Sequence, residues 1–139
     1  MLYTVMDMPA SQKKPASVLV IDDDKNQRSM LTFSLQDQGY AVTAVESGAA
    51  ALAAVQKERF DVAICDIMMP GLDGVETLKA LKARCPGLEV VMATGYAAPK
   101  TATSSMKYGA FNYIAKPYEL KDLLAVLEKA VARGRGRSA

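Results

Sequence analysis

A chain of 139 residues, half of them apolar, is long enough for one domain with a real core. Its 17 basic residues outnumber its 15 acidic ones, but Arg133, Arg135 and Arg137 fall in the stretch RGRGRSA; setting those three aside leaves 14 basic residues against 15 acidic ones, a net of −1. Histidine is absent, which excludes a Ser-His-Asp or Cys-His nucleophilic site, a His-ligated metal and a phosphohistidine on this chain. Two cysteines, Cys65 and Cys85, do not make a disulfide framework, and Cys65 lies in an apolar run as a small hydrophobe would. No apolar run approaches the roughly 20 residues of a membrane span. The start of the chain, with Asp7 and Pro9, lacks the basic and apolar segments of a signal peptide. A cytoplasmic protein without membrane contact is expected.

Residues 1–15 read as a flexible leader. The β-branched run Val18–Ile21 then stops abruptly at Asp22-Asp23-Asp24. Residues 25–38 carry Met30, Leu31 and Leu35 at helical spacing and stop at Gly39. A second apolar run spans Tyr40 to Val45, and a second helical segment, 47–58, opens on the N-cap candidate Ser47. The run Phe60 to Cys65 follows, then a helix over 73–84 with Val75, Leu78 and Leu81 three residues apart, ending before Pro86-Gly87. Leu88 to Ala93 is the fourth run, 98–108 a helix stopped by Gly109, and Phe111 to Ala115 the fifth run. Residues 119–132 place Leu120, Leu123, Leu124, Leu127 and Val131 on one stripe. The runs are near-continuously apolar, which suits parallel strands buried on both faces. The order is (βα)₅ over 16–132, an α/β doubly wound sheet with right-handed crossovers. Residues 133–139 read as a solvated basic tail or the start of a linker, with no nucleic-acid binding expected of the domain itself.

Open α/β sheets bind ligands at the carboxyl ends of their strands. Those ends carry Asp22 and Asp23 after the first strand, Asp66 after the third, Thr94-Gly95 after the fourth and Lys116-Pro117 after the fifth. Converging carboxylates repel one another unless a cation offsets them. Mg²⁺ suits such a set, since it accepts one or two carboxylates, keeps waters and favours phosphoryl ligands; Mn²⁺ meets the same demands. A carboxylate is also a competent nucleophile toward phosphorus. Phosphoryl transfer then needs charge neutralisation more than an acid or base, and Lys116 and Thr94 offer a cation and a hydroxyl donor.

Four blocks carry a resemblance: VLVIDDD at 18–24, DVAICDIMMPGLDG at 61–74, VVMATGY at 90–96 and GAFNYIAKPYEL at 109–120. In these the chain resembles the receiver domain of bacterial two-component response regulators, with chemotaxis receivers as relatives in fold. The resemblance implies a flavodoxin-like sandwich with a parallel five-stranded sheet in the order 2-1-3-4-5. It implies Asp66 as phospho-acceptor, with Asp22, Asp23, Asp66 and the backbone carbonyl of Met68 around Mg²⁺, Asp22 acting through water. Thr94 would contact the phosphoryl group, Lys116 would pair with it, Tyr113 would act with Thr94 as the switch, and the Lys116–Pro117 bond would be cis. A sensor histidine kinase or histidine phosphotransfer protein would donate the phosphoryl group. The surface of the fourth helix, fifth strand and fifth helix would meet a downstream protein, a covalently linked output domain or a second copy in a phosphorylation-dependent homodimer. Such a domain is a regulatory phospho-acceptor, catalysing only its own phosphorylation and dephosphorylation.

Rival readings compete for the same residues. Asp22-x-Asp24 mimics the signature of haloacid-dehalogenase phosphatases, but Asn26 stands where Thr or Val is required and the Asp66 block is left unused. A flavodoxin-like electron carrier needs a hydroxyl- and Gly-rich phosphate loop where this chain has three acids. A receiver-like interaction module that no longer switches would not need its acids, Thr94 and Lys116 intact. Two further expectations belong to this chain. Neither Met68 nor Tyr96, each two residues beyond a site residue, can orient an attacking water, so self-dephosphorylation should be slow. And the helix over 98–108, rich in Thr and Ser with Pro99 in its first turn, should be the softest regular element.

Overall fold

The computed structural model describes residues 15–69, 73–95 and 99–138. The elements alternate along the chain: β1 (Ser17–Ile21), α1 (Lys25–Asp37), β2 (Ala41–Val45), α2 (Gly48–Lys57), β3 (Val62–Asp66), α3 (Gly74–Arg84), β4 (Glu89–Thr94), α4 (Pro99–Lys107), β5 (Asn112–Ala115) and α5 (Leu120–Ser138). All strands are parallel, as the apolar runs lead one to expect, and they stand in the order β2-β1-β3-β4-β5 that the resemblance implies. In the register, Asp66 lies beside Ala93 and Thr94 beside Ala115, so the ends of β3, β4 and β5 share one edge.

Side chains alternate across a strand, and here each face finds its own helices. Leu19, Ile21, Ala63, Cys65, Val90 and Met92 pack with Ala51 of α2 and with Leu78 and Leu81 of α3. On the opposite face Val18, Val20, Val62, Ile64, Val91 and Ala93 pack with Leu31 and Leu35 of α1 and with Leu123, Leu127 and Ala130 of α5. Burial on both faces is why the central strands lack a polar alternation. Each fully buried leucine contributes about 1.5–3 kcal/mol, so the stripes on α1, α3 and α5 fix those helices to the sheet.

Caps set the entry of the chain into its helices. The Asp24 carboxylate accepts the amides of Asn26 and Gln27 at 2.8 and 3.3 Å, Ser47 Oγ accepts that of Ala50 at 3.1 Å, and Asp73 accepts that of Glu76 at 2.9 Å. Gly39 and Gly109 end α1 and α4 with φ of +94° and +98°, the left-handed region that favours glycine.

One helix end departs from the sequence reading. The expected stop at 132 is passed, and α5 continues through most of the stretch read as a solvated tail. Arginine is a good helix former, and two of the arginines find carboxylates across the sheet edge: Arg133 Nε lies 3.1 Å from Glu89, and Arg135 lies 3.2 Å from Asp61. Those partners are 44 and 74 residues distant in sequence, so periodicity does not register them. The leader up to residue 14 and the tail's Ala139 lie outside the described residues, as does Tyr96. Among the described residues no helix is long and apolar enough to cross a membrane.

Candidate metal and phosphoryl site

The acidic cluster is assembled from two adjacent strands. Asp22 follows β1 and Asp66 ends β3; both are buried, while Asp23 is exposed. One carboxylate oxygen from each of the three lies within 4.8 Å of the others, a spacing that fits one hard divalent cation. Local bonds hold the arrangement. Asp22 accepts the amide of Asp24 at 2.9 Å, and its backbone carbonyl accepts from the Arg28 guanidinium at 2.8 Å. Asp66 accepts the Met68 amide at 3.3 Å.

Lys116 closes the site from the end of β5. Its backbone amide donates to the Thr94 carbonyl at 2.7 Å, its Nζ lies 3.1 Å from Asp22 and 3.9 Å from Asp66, and the bond to Pro117 is cis as anticipated. Thr94 ends β4 and is buried. Four strands therefore deliver Asp22, Asp23, Asp66, Thr94 and Lys116 to one edge, as expected from the order of elements. Met68 is brought there too, beside Asp66, with its side chain exposed. Tyr113 sits one strand away on β5, 41% exposed, so its ring faces out.

The electrostatics follow from this packing. Burial pushes the Asp66 carboxyl above its ordinary range; Lys116 and the Met68 amide oppose that, while Asp22 and Asp23 reinforce it. The site carries more negative charge than its own lysine offsets. Burial also raises the Cys65 thiol, with Asp66, Asp22 and Asp73 adding to the effect, so Cys65 is a protonated hydrophobe beneath the site.

Three contributors escape a reading by pattern. Arg28, one turn into α1, braces the Asp22 carbonyl. Tyr118 is part-buried beside the site, its phenol raised by burial first and then by Asp22 and Asp66. Gly74 is the tightest: a Cβ there would stand 2.5 Å from Ile67 Cα and closer still to the Asp66 carbonyl oxygen. The signal for Gly74 in the sequence is a glycine directly after the capping Asp73, where a better helix former would ordinarily serve.

Comparison with known proteins agrees with this geometry. Residues 18–128 match the response regulator receiver domain family. The chain is 40% identical over 115 residues to the transcriptional regulatory protein ZraR of Escherichia coli, covering 83% of this chain and 26% of that protein. It is 37% identical over 115 residues to the DNA-binding transcriptional regulator NtrC of Escherichia coli, covering 83% and 24%. It thus spans about a quarter of the length of these curated relatives. Among solved structures it resembles the Vibrio cholerae chemotaxis protein CheY4, with TM-score 0.80 and 34% identity over 84% of this chain and 99% of that one. It also resembles a CheY-like receiver domain protein from Methanospirillum hungatei, with TM-score 0.85 and 29% identity over 89% and 99%. With its fold, its acidic edge and this coverage, the chain belongs to the response regulator receiver domain family: it is a phosphorelay receiver, a phospho-accepting regulatory domain rather than a catalytic enzyme, with an aspartate cluster able to coordinate a divalent metal such as Mg²⁺.

Proposed function

We propose that Asp66 accepts the phosphoryl group and that Asp22, Asp23, Thr94 and Lys116 make it competent to do so. The observation carrying this reading is the meeting of three carboxylates within 4.8 Å beside a lysine that reaches two of them. Asp23, Asp66 and the Met68 carbonyl would hold the cation, with Asp22 contributing through water, and a bound ion would neutralise charge on the transferred oxygens. An Asp66 carboxylate oxygen attacks phosphorus, the new O–P bond forms as the donor's N–P bond breaks, and the electron pair stays on the donor's imidazole. Lys116 is held by Asp22 in the resting arrangement. A phosphoryl dianion on Asp66 competes for it, while the Thr94 hydroxyl donates to a phosphoryl oxygen.

The donor is a sensor histidine kinase or a histidine phosphotransfer protein, since the chain has no histidine of its own. Movement of Thr94 toward the phosphoryl group frees space for the exposed Tyr113 ring to turn inward. That changes the surface of α4, β5 and α5, where a downstream protein, a linked output domain or a second phosphorylated copy reads the state. The named relatives are transcriptional regulators, and control of transcription through a further domain or partner, in the cytoplasm, is the output this reading favours.

Acetyl phosphate with Mg²⁺ tests the assignment. Wild type should gain one phosphoryl mass, and lose the gain when the metal is chelated. Asp66→Asn should gain nothing, and Lys116→Gln should bind beryllofluoride far more weakly. A phosphorylated Asp66→Asn protein would assign the acceptor elsewhere.

A further inference from the structure

Two acids lie at the opposite, amino-terminal edge of the sheet, away from phosphoryl chemistry. Glu89 opens β4 and is 2% exposed, yet it is a carboxylate. Lys82 Nζ lies 3.8 Å from it and Arg133 Nε 3.1 Å from it. Asp61 stands just before β3. It accepts the Ser17 amide at 2.9 Å and is paired with Arg135 at 3.2 Å through one nitrogen and 3.4 Å through another. The Arg133 guanidinium also lies 5.6 Å from the centroid of the Phe111 ring, at the entry to β5. Through these contacts the last turns of α5 are joined to the beginnings of β1, β3, β4 and β5.

Gly134 is the centre of the arrangement. It is buried, and a Cβ added to it would meet the Asp61 carbonyl oxygen at 3.6 Å, Glu89 Cγ at 3.6 Å and the Gly87 carbonyl oxygen at 3.7 Å. These are ordinary van der Waals separations, so the helix backbone at Gly134 lies directly against the edge formed by Asp61, Gly87 and Glu89. In a helix, neighbours one residue either side of a position diverge by about 100° each. Arg133 and Arg135 therefore straddle Gly134, one arm reaching Glu89 and the other Asp61, with the helix backbone seated between.

We propose that Arg133-Gly134-Arg135 is a clasp, a docking segment that this chain carries for its own acidic edge and that fixes the direction of the final turns of α5. A buried carboxylate left without its cations is costly, so Glu89 selects the closed arrangement. The Asp61 arm adds two charge-assisted hydrogen bonds. Anything attached to or docked on this end of α5 inherits a fixed orientation relative to the sheet.

Amide hydrogen exchange on the full chain, with no phosphoryl donor present, tests the clasp independently of Asp66. In wild type, amides 131–136 should be protected to a degree similar to those at 123–127. Arg135→Gln should speed exchange at 131–136 by about tenfold, the loss of charged hydrogen bonds, and leave 123–127 unchanged. The double variant Arg133→Gln/Arg135→Gln, which takes the arginine from both Glu89 and Asp61, should remove the protection altogether. Unchanged beryllofluoride binding by both variants would show that the domain remains folded. Unprotected amides at 131–136 in wild type, or wild-type protection in either variant, would overturn the proposal.

Discussion

Gly74→Ala exposes how tightly the phosphoryl edge is built. Carbon atoms in contact sit about 3.5–4.0 Å apart, so a Cβ only 2.5 Å from Ile67 Cα is short by about 1 Å. The obstruction is backbone, including the Asp66 carbonyl carbon at 3.0 Å, and no flexible side chain can give way. The first turn of α3 must retreat, which stretches the bond from the Gly74 amide to the Ile67 carbonyl, now 3.0 Å. Forcing extra volume into a packed site costs about 1–3 kcal/mol, and the weakened hydrogen bond about 1 kcal/mol more. Alanine's better helix propensity returns up to about 1 kcal/mol. The net is a loss of about 2 kcal/mol, which lowers Tm by roughly 6–10 °C in a domain of this size. Because the displaced atoms belong to Asp66 and Ile67, beryllofluoride binding with Mg²⁺ should weaken as well. Thermal unfolding and a beryllofluoride titration measure both. A variant that melts at or above the wild-type temperature with undiminished binding would refute the close-approach argument.

Three other outcomes are expected. Among its described residues α4 buries only Ser105, whose hydroxyl bonds back to the Thr101 carbonyl at 2.9 Å, so its amides should exchange faster than those at 120–131 of α5; equal protection would contradict this. Burial raises the Asp61 carboxyl, but the Ser17 amide and Arg135 outweigh burial and hold it below its ordinary value of 3.8. Asp61 then stabilises the fold above about pH 4, and the contribution is lost as pH falls through the lowered folded value; urea titrations should show less acid-side loss in Asp61→Asn, and identical slopes would rule the pairing out. Finally, Tyr96→Glu should shorten the lifetime of phosphorylated Asp66, read by loss of the phosphoryl mass with time. A variant no faster than wild type would mean that a side chain at 96 does not govern water access.

The sheet was legible because its signal is local. Five β-branched or apolar runs, each closed by a helix of regular spacing, leave little freedom in a parallel fold, and the acids, Thr94 and Lys116 stand at the strand ends where such folds bind ligands. Ser47, Gly39 and Gly109 announced caps for the same reason: the chemistry of a helix end involves its immediate neighbours. What escaped was set by distant partners. Nothing within RGRGRSA marks it as docked, because the carboxylates that hold it belong to Asp61 and Glu89. Gly74 falls at the start of the helix over 73–84, and nothing local marks its close approach to the β3 backbone. Tyr118 follows Pro117 as any loop aromatic might, and only the folded edge puts it beside Asp22 and Asp66.

Counting charge by segment also misled. With its arginines set aside, the body seemed near neutral and the tail a separate positive block. In the fold, those arginines serve two of the body's own acids. At the amino-terminal edge Asp61 and Glu89 meet Arg135, Arg133 and Lys82, so the chain supplies its own cations there. At the carboxyl edge Lys116 reaches Asp22 and Asp66, and Asp23 completes the acidic cluster. Burial pushes Asp66 up, with Asp22 and Asp23 adding to it against Lys116 and the Met68 amide, whereas at Asp61 burial is outweighed by the Ser17 amide and Arg135. The two edges of one sheet thus differ in a way that decides function. The edge that supplies cations for both its acids is suited to holding α5, and the edge with three carboxylates and one lysine is the one suited to a divalent cation from solution.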